Sequence, residues 1–146
     1  LFVMGVPTLP GLPTASSARI ESLTELPLIL PSGPHGLRAL VDSAFARARA
    51  TPRVVAEIDG LTLLMDAVSA GLGATIQPGA ATLRLRHGDV ALVRLSNPRA
   101  VRPNLLVSLS DDELSPAALG ARVVLADVAR TLVREGRWTG ASIHES

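Results

Sequence analysis

The chain has no cysteine and no tyrosine among its 146 residues, and its few aromatics are two Phe and one Trp. Without thiols there are no disulfides and no thiolate metal sites, a usage that fits a reducing cytosol. With so few rings the core must be aliphatic, built from Leu, Val, Ala and Ile. The same scarcity argues against modes of RNA or single-strand binding that stack bases on aromatic side chains. There is no run of five or more like charges. Net charge is +1 although the pI is about 9.2, and the basic residues are scattered arginines, so the pI is poor evidence for nucleic-acid binding. No apolar run approaches the ~20 residues that span a bilayer. The opening Leu1-Phe2-Val3-Met4 has neither the basic flank nor the apolar length of a signal peptide. Beginning at Leu, it reads as a fragment. These absences lead us to expect a cytoplasmic protein with no membrane segment.

What is present is ample core material: 47% of residues are apolar and 18% charged, enough for one domain or two small lobes. The organising stretch is Leu26-Pro27-Leu28-Ile29-Leu30-Pro31-Ser32-Gly33-Pro34-His35-Gly36-Leu37-Arg38. A short apolar run between prolines predicts a buried strand. Pro31-Ser32-Gly33-Pro34 forces a sharp turn, since two of its residues lack an N–H and one lacks a Cβ. Leu37, Leu40, Val41, Ala44, Phe45 and Ala48 then recur at helical spacing.

Upstream, residues 1–6 read as a strand and 7–17 as a flexible loop. Ser22 and Glu25 have capping-box spacing for one helical turn. Downstream, Val54 to Ile58 predicts a strand, and Asp59 a helix N-cap with Gly60 at N1. Leu61, Leu64, Met65 and Val68 form a helical stripe stopped by Gly71. Further strands are expected at 74–76, 90–95 and 105–109, with a short helix at 80–85 and a return hinge at Asn97-Pro98-Arg99. Ser115-Pro116 opens a long helix whose buried stripe is Ala121, Val124, Leu125, Val128, Ala129 and Leu132. Alternating strands and helices at this spacing indicate an α/β fold with parallel crossover units.

Catalytic and metal readings are weak. Ser32, His35 and Asp59 could be imagined as a hydrolase triad, but Ser32 lacks a Gly-x-Ser-x-Gly elbow and shares one turn with His35. A polar turn and a helix cap explain them better. The three histidines, His35, His87 and His144, have no partners at metal-ligand spacing, and His87 reads as a solvated turn residue. Gly71-Leu72-Gly73 ends a helix and enters a strand, the reverse of a dinucleotide fingerprint; it reads as a stop and a close packing point. Glu57 could contact a lobe hinge. We therefore expect no cofactor, no metal and no enzyme.

A binding cleft survives. Three turns, Ser32-Gly33, Asp59-Gly60 and Gln77-Pro78, follow successive strand ends, and helix N-termini there suit an anion. Ser32 and Thr75 offer hydroxyls and Gln77 an amide.

The same residues carry a resemblance. Residues 26–45, then Pro52-Arg53-Val54-Val55-Ala56-Glu57-Ile58-Asp59 and Ala70-Gly71-Leu72-Gly73-Ala74-Thr75-Ile76-Gln77-Pro78, resemble the effector-binding region of LysR-type transcriptional regulators, nearest the nitrogen-assimilation-control subgroup. The resemblance implies a Rossmann-like, periplasmic-binding-protein-type fold with two lobes. Residues 26–100 would be a complete second lobe. Residues 1–25 would be the end of the first lobe and a crossover, 101–136 the return crossover and a first-lobe helix, and 137–146 a tail. It also implies an effector held at these strand ends by Ser32, His35, Asp59, Thr75 and Gln77; the helix N-termini there make it a small organic anion, with Gly33, Gly60 and Pro78 completing the turns that receive it. Self-association of effector regions and DNA binding only through a separate N-terminal domain would follow. A transport-type solute-binding protein is the alternative.

Overall fold

Strand β1 (Phe2–Gly5) lies at the heart of a four-stranded sheet. The order is β2 (Ser17–Ala18), β6 (Ala91–Leu95), β1, β5 (Thr75–Gln77). β1 runs antiparallel to both neighbours, with Val3 opposite Ile76 on one side and Val93 on the other. Val3, Met4, Ile76 and Val93 are all buried, the aliphatic core that the lack of aromatics requires. The computed structural model describes residues 1–83, 85 and 88–144; His87 lies outside them.

A parallel pair stands beside this sheet. β3 (Pro27–Leu30) pairs with β4 (Arg53–Glu57), with an irregularity between Leu28 and Ile29. β3 also reaches β5 through a parallel bridge between Leu28 and Ala74. There Ala74 N–H donates to Pro27 O at 2.8 Å and Ile29 N–H to Ala74 O at 2.7 Å. Helices α1 (Gly36–Arg47) and α2 (Leu61–Ser69) follow β3 and β4. α1 buries Leu37, Val41, Ala44 and Phe45, the face its spacing predicts. α2 buries Leu64, Met65 and Val68. Gly71, at φ +78°, closes α2: its N–H reaches Val68 O, and that of Leu72 reaches Ala67 O.

The chain divides into two compact units, Leu1–Arg102 and Pro103–Ser146. The first unit holds residues 1–25 together with 26–100. The physical reason is that β1 supplies the hydrogen bonds joining β5 to β6, and no local sequence signal reports such distant pairing. The loop at 7–17, expected to be flexible, buries Leu9 and Leu12.

Three local expectations also change. Ser22 and Glu25 form no capping box. The turn there is a 3-10 helix at Ile20–Leu23, and the Ser22 hydroxyl donates to Arg19 O at 2.7 Å. The short helix placed at 80–85 is a 3-10 turn at Gly79–Thr82 without a side-chain cap, too short to present a helix dipole. The strand expected at 105–109 is not formed; Leu105, Val107 and Leu109 are largely exposed.

In the second unit α3 (Pro116–Arg134) begins as predicted: Ser115 Oγ accepts from Ala118 N–H at 3.2 Å and Pro116 fills the first turn. Its apolar stripe is not buried. Val124, Leu125 and Val128 are each about half exposed or more, and no residue of α3 is buried. Among the described residues no helix is long and apolar enough to cross a membrane.

Candidate functional site

The turn after β3 and the turn after β4 are joined by one side chain. Asp59 Oδ1 accepts from Ser32 N–H at 2.9 Å, and the Ser32 hydroxyl donates to Asp59 Oδ1 at 2.8 Å and to Oδ2 at 3.0 Å. Asp59 is therefore not the N-cap of α2. Gly60 takes that position in an extended conformation, without a side-chain cap bond. The reason is competition: the Ser32 N–H, stranded at the end of β3, and the hydroxyl beside it offer two donors to a carboxylate one strand away. α1 is capped locally, with His35 Nδ1 accepting from Leu37 N–H at 3.2 Å.

These bonds hold the Asp59 carboxyl below the usual carboxylate range. The Ser32 backbone N–H is the first cause, the Ser32 hydroxyl the second, and His35 adds a smaller attraction. A carboxylate with a lowered folded-state pKa contributes fully above the ordinary aspartate range. That contribution is lost as the pH falls through the lowered value. The Ser32 amide resonance is therefore expected to hold steady from neutral pH through the ordinary aspartate pKa, and to move only in stronger acid. An NMR titration in which it moves at the ordinary value would contradict the clamp.

Arg38 is a further neighbour of this corner, one that the sequence pattern does not single out. It lies a helical turn beyond the corner, yet its Nη1 folds back to donate to Pro31 O at 2.9 Å and to Glu57 Oε1 at 2.5 Å. Its Nε meets Asp42 Oδ1 at 3.0 Å. Glu57 thus pairs with Arg38, which corrects its reading as a hinge contact. The available signal was the four-residue spacing of Arg38 and Asp42 on one helix face. Glu57 is the first cause of the raised Arg38 pKa, which burial opposes and Asp42 supports.

The remaining expected residues lie on β5 and its exit. Thr75 and Gln77 are buried, and Pro78 precedes the 3-10 turn. The Thr75 hydroxyl has no hydrogen-bond partner among the described residues. Gly33, His35, Asp59 and Gly60 are exposed and Ser32 is half-buried. The structure thus joins Ser32 directly to Asp59, sets His35 at the same corner, and places Thr75 and Gln77 on the strand bridged to β3. Among the described residues no group of three or more His, Asp or Glu could hold a metal ion.

The LysR substrate binding domain family matches residues 4–130. The chain belongs to this family. It is similar to the nitrogen assimilation regulatory protein nac of Escherichia coli (strain K12), 30% identical over 142 residues, which cover 94% of this chain and 44% of that protein. The chain thus spans less than half the length of that regulator. Among solved structures it is similar to the effector binding domain of QuiR in complex with shikimate, with a TM-score of 0.66 at 23% identity. That likeness covers 89% of this chain and 61% of the other. It is also similar to the CcmR regulatory domain of Synechocystis PCC6803 in complex with 2-PG, with a TM-score of 0.68 at 16% identity, over 87% of this chain and 61% of that one. At these identities the structures show the shared fold, the periplasmic-binding-protein-like α/β arrangement of LysR substrate-binding domains. Within that arrangement the corner between β3 and β4 is where this LysR domain carries its clamp of Ser32 and Asp59.

Proposed function

We propose that the chain is the effector-sensing part of a LysR-type transcriptional regulator, and that it takes a small organic anion at the ends of β3, β4 and β5. The observation that carries this reading is the Asp59 carboxylate seated on the Ser32 N–H and hydroxyl. That turn presents donors to a carboxylate, and at present the carboxylate is the chain's own. An effector carboxylate would exchange with it, with Gly33, His35 and Gly60 lining the mouth and Thr75, Gln77 and Pro78 behind. Charge-assisted bonds contribute roughly 1.5–3 kcal/mol each, so two or three support micromolar to millimolar affinity after ordering costs. Arg38 is already matched by Glu57 and Asp42, so the Ser32 N–H and hydroxyl carry the recognition. QuiR and CcmR, which hold shikimate and 2-PG, share this fold, and the relative nac is a regulator. Both favour a cytoplasmic sensor over a transport-type solute-binding protein. Effector binding would favour one conformational state of the sensor and pass that bias to DNA-binding heads through subunit packing.

A panel of small carboxylates titrated by calorimetry into the chain tests the site. Saturable binding is expected, weaker in Ser32→Ala. Unchanged affinity in a folded Ser32→Ala chain would place the effector elsewhere.

Self-association is part of the same proposal. The exposed stripe of α3 is large and aliphatic, and such faces mark contact surfaces. Sedimentation is expected to show a concentration-dependent oligomer that Leu125→Lys or Val128→Lys shifts toward monomer. A parent chain that stays monomeric at high concentration would contradict it.

A further inference from the structure

A cavity opens away from the strand ends, within the unit Leu1–Arg102. Its volume is about 260 Å³, and three arginines line it: Arg19, Arg47 and Arg99. Among the described residues Glu21 is the sole acidic one of its lining, so three guanidiniums against one carboxylate leave an excess of two positive charges. The carboxylate is already committed. Glu21 Oε1 accepts from Arg19 Nη2 at 2.8 Å, and Oε2 accepts from Asn97 Nδ2 at 3.2 Å. The Glu21 carboxyl is pulled down to about 2, by Arg19 first, then by a backbone N–H of its own turn, then by Asn97. Arg19 and Glu21 thus neutralise one another on one wall. Arg47 and Arg99 have no carboxylate partner among the described residues.

Both of these arginines project from backbone that is held in place. Arg47 ends α1, three residues beyond Ala44 and two beyond Phe45, which are both buried. Arg99 sits in the segment Asn97-Pro98-Arg99, where sequence spacing predicts a hinge. In the fold that segment is pinned. The Asn97 side chain accepts from Ile20 N–H at 2.8 Å, Ala100 N–H donates back to Asn97 O at 2.9 Å, and Ala100 is buried. Asn97 therefore spends its amide on fixing the loop and on turning Glu21 toward Arg19.

We propose that this cavity is a second anion site, and that it takes a phosphate group carried by a small molecule, bridged between Arg47 and Arg99. The guanidinium is planar and offers paired donors that match phosphate oxygens, and a fork held by fixed backbone loses little freedom on binding. A doubly charged ligand matches the excess of two positive charges, which a single carboxylate does not. The volume lies just below the usual range for drug-sized ligands, so a phosphate or diphosphate with a small substituent is the fitting size.

The test is calorimetry on the whole 146-residue chain at low ionic strength, with inorganic phosphate, pyrophosphate and acetate as probes. Phosphate and pyrophosphate are expected to saturate one site, while acetate at the same concentrations does not. Arg47→Gln with Arg99→Gln should weaken pyrophosphate binding roughly tenfold or more, the scale of losing charge-assisted bonds. Arg122→Gln, an arginine of the other unit, should leave it unchanged. Both cavity positions are exposed, so the double variant keeps its fold, and a melting curve verifies this. Equal affinity in the double variant, acetate binding as well as phosphate, or no saturation at all would each overturn the proposal.

Discussion

Gly73→Ala is expected to lower the unfolding free energy of the chain by about 3 kcal/mol, the upper part of the range for overpacking. A Cβ at Gly73 would stand 2.8 Å from Pro27 O, and 3.1 and 3.3 Å from the side chain of Ile29. The first obstacle is backbone, and that carbonyl already accepts the Ala74 N–H at 2.8 Å, so it cannot retreat without breaking the seam between β3 and β5. The second is a buried side chain at 1% exposure, with no open space behind it. Total stabilities of domains are about 5–15 kcal/mol, so a large part of the margin is at stake. Urea unfolding should show a lower midpoint with an unchanged slope. Gly36→Ala is the control: nothing lies within 4 Å of a Cβ there, and α1 begins at that residue. A Gly73→Ala chain as stable as the Gly36→Ala chain would refute the close approach.

Thr75→Val is expected to move stability and affinity in opposite directions. The hydroxyl is fully buried and lacks a partner among the described residues. Leaving a buried donor unsatisfied costs about 1–3 kcal/mol, and an isosteric apolar replacement removes that cost. Stability should therefore rise by about 1 kcal/mol. If the hydroxyl is held in reserve for the effector, carboxylate binding should fall roughly tenfold, the worth of one hydrogen bond to a charged group. Reaching a sealed hydroxyl requires the strand ends to part, so the loss appears only if binding opens them. Ser69 separates the two effects. Its hydroxyl is also buried and unpartnered, but it ends α2, at the far end from the Asp59 turn. Ser69→Ala should gain stability and keep affinity. A Thr75→Val chain that binds as well as the parent would remove Thr75 from the site.

The corner from Pro27 to Arg47 was legible because its signals are local. Prolines bound the strand, Gly33 and Pro34 force the turn, and the stripe from Leu37 to Phe45 changes the period at once. The partner of Asp59 was not legible. Capping is the usual local use for an aspartate before a glycine, and the Ser32 N–H that outbids it lies 27 residues away. Position 105–109 failed for a related reason: an alternation of Leu, Val and Ser satisfies strand propensity, but a strand exists only where a neighbour takes its hydrogen bonds. The central place of β1 was hidden in the same way. The contacts of Arg38 were not legible either, since its side chain is long enough to span the turn behind it and reach Pro31 O and Glu57.

One bond in the first unit has a consequence for how that unit can be handled. The amine of Leu1 donates to Ala100 O at 2.8 Å, so the two ends of the segment Leu1–Arg102 meet side by side. A segment whose ends touch is a natural cassette: it can be set into a host through a single doorway, or its ends can be sewn together and new ones cut elsewhere. Joining ends that already touch costs little closure entropy, because the fold has brought them together before any linker is added. New termini cut in the exposed turn at Gly33 and Pro34 should be the informative choice, since they would sever the Ser32 corner while leaving both sheets intact.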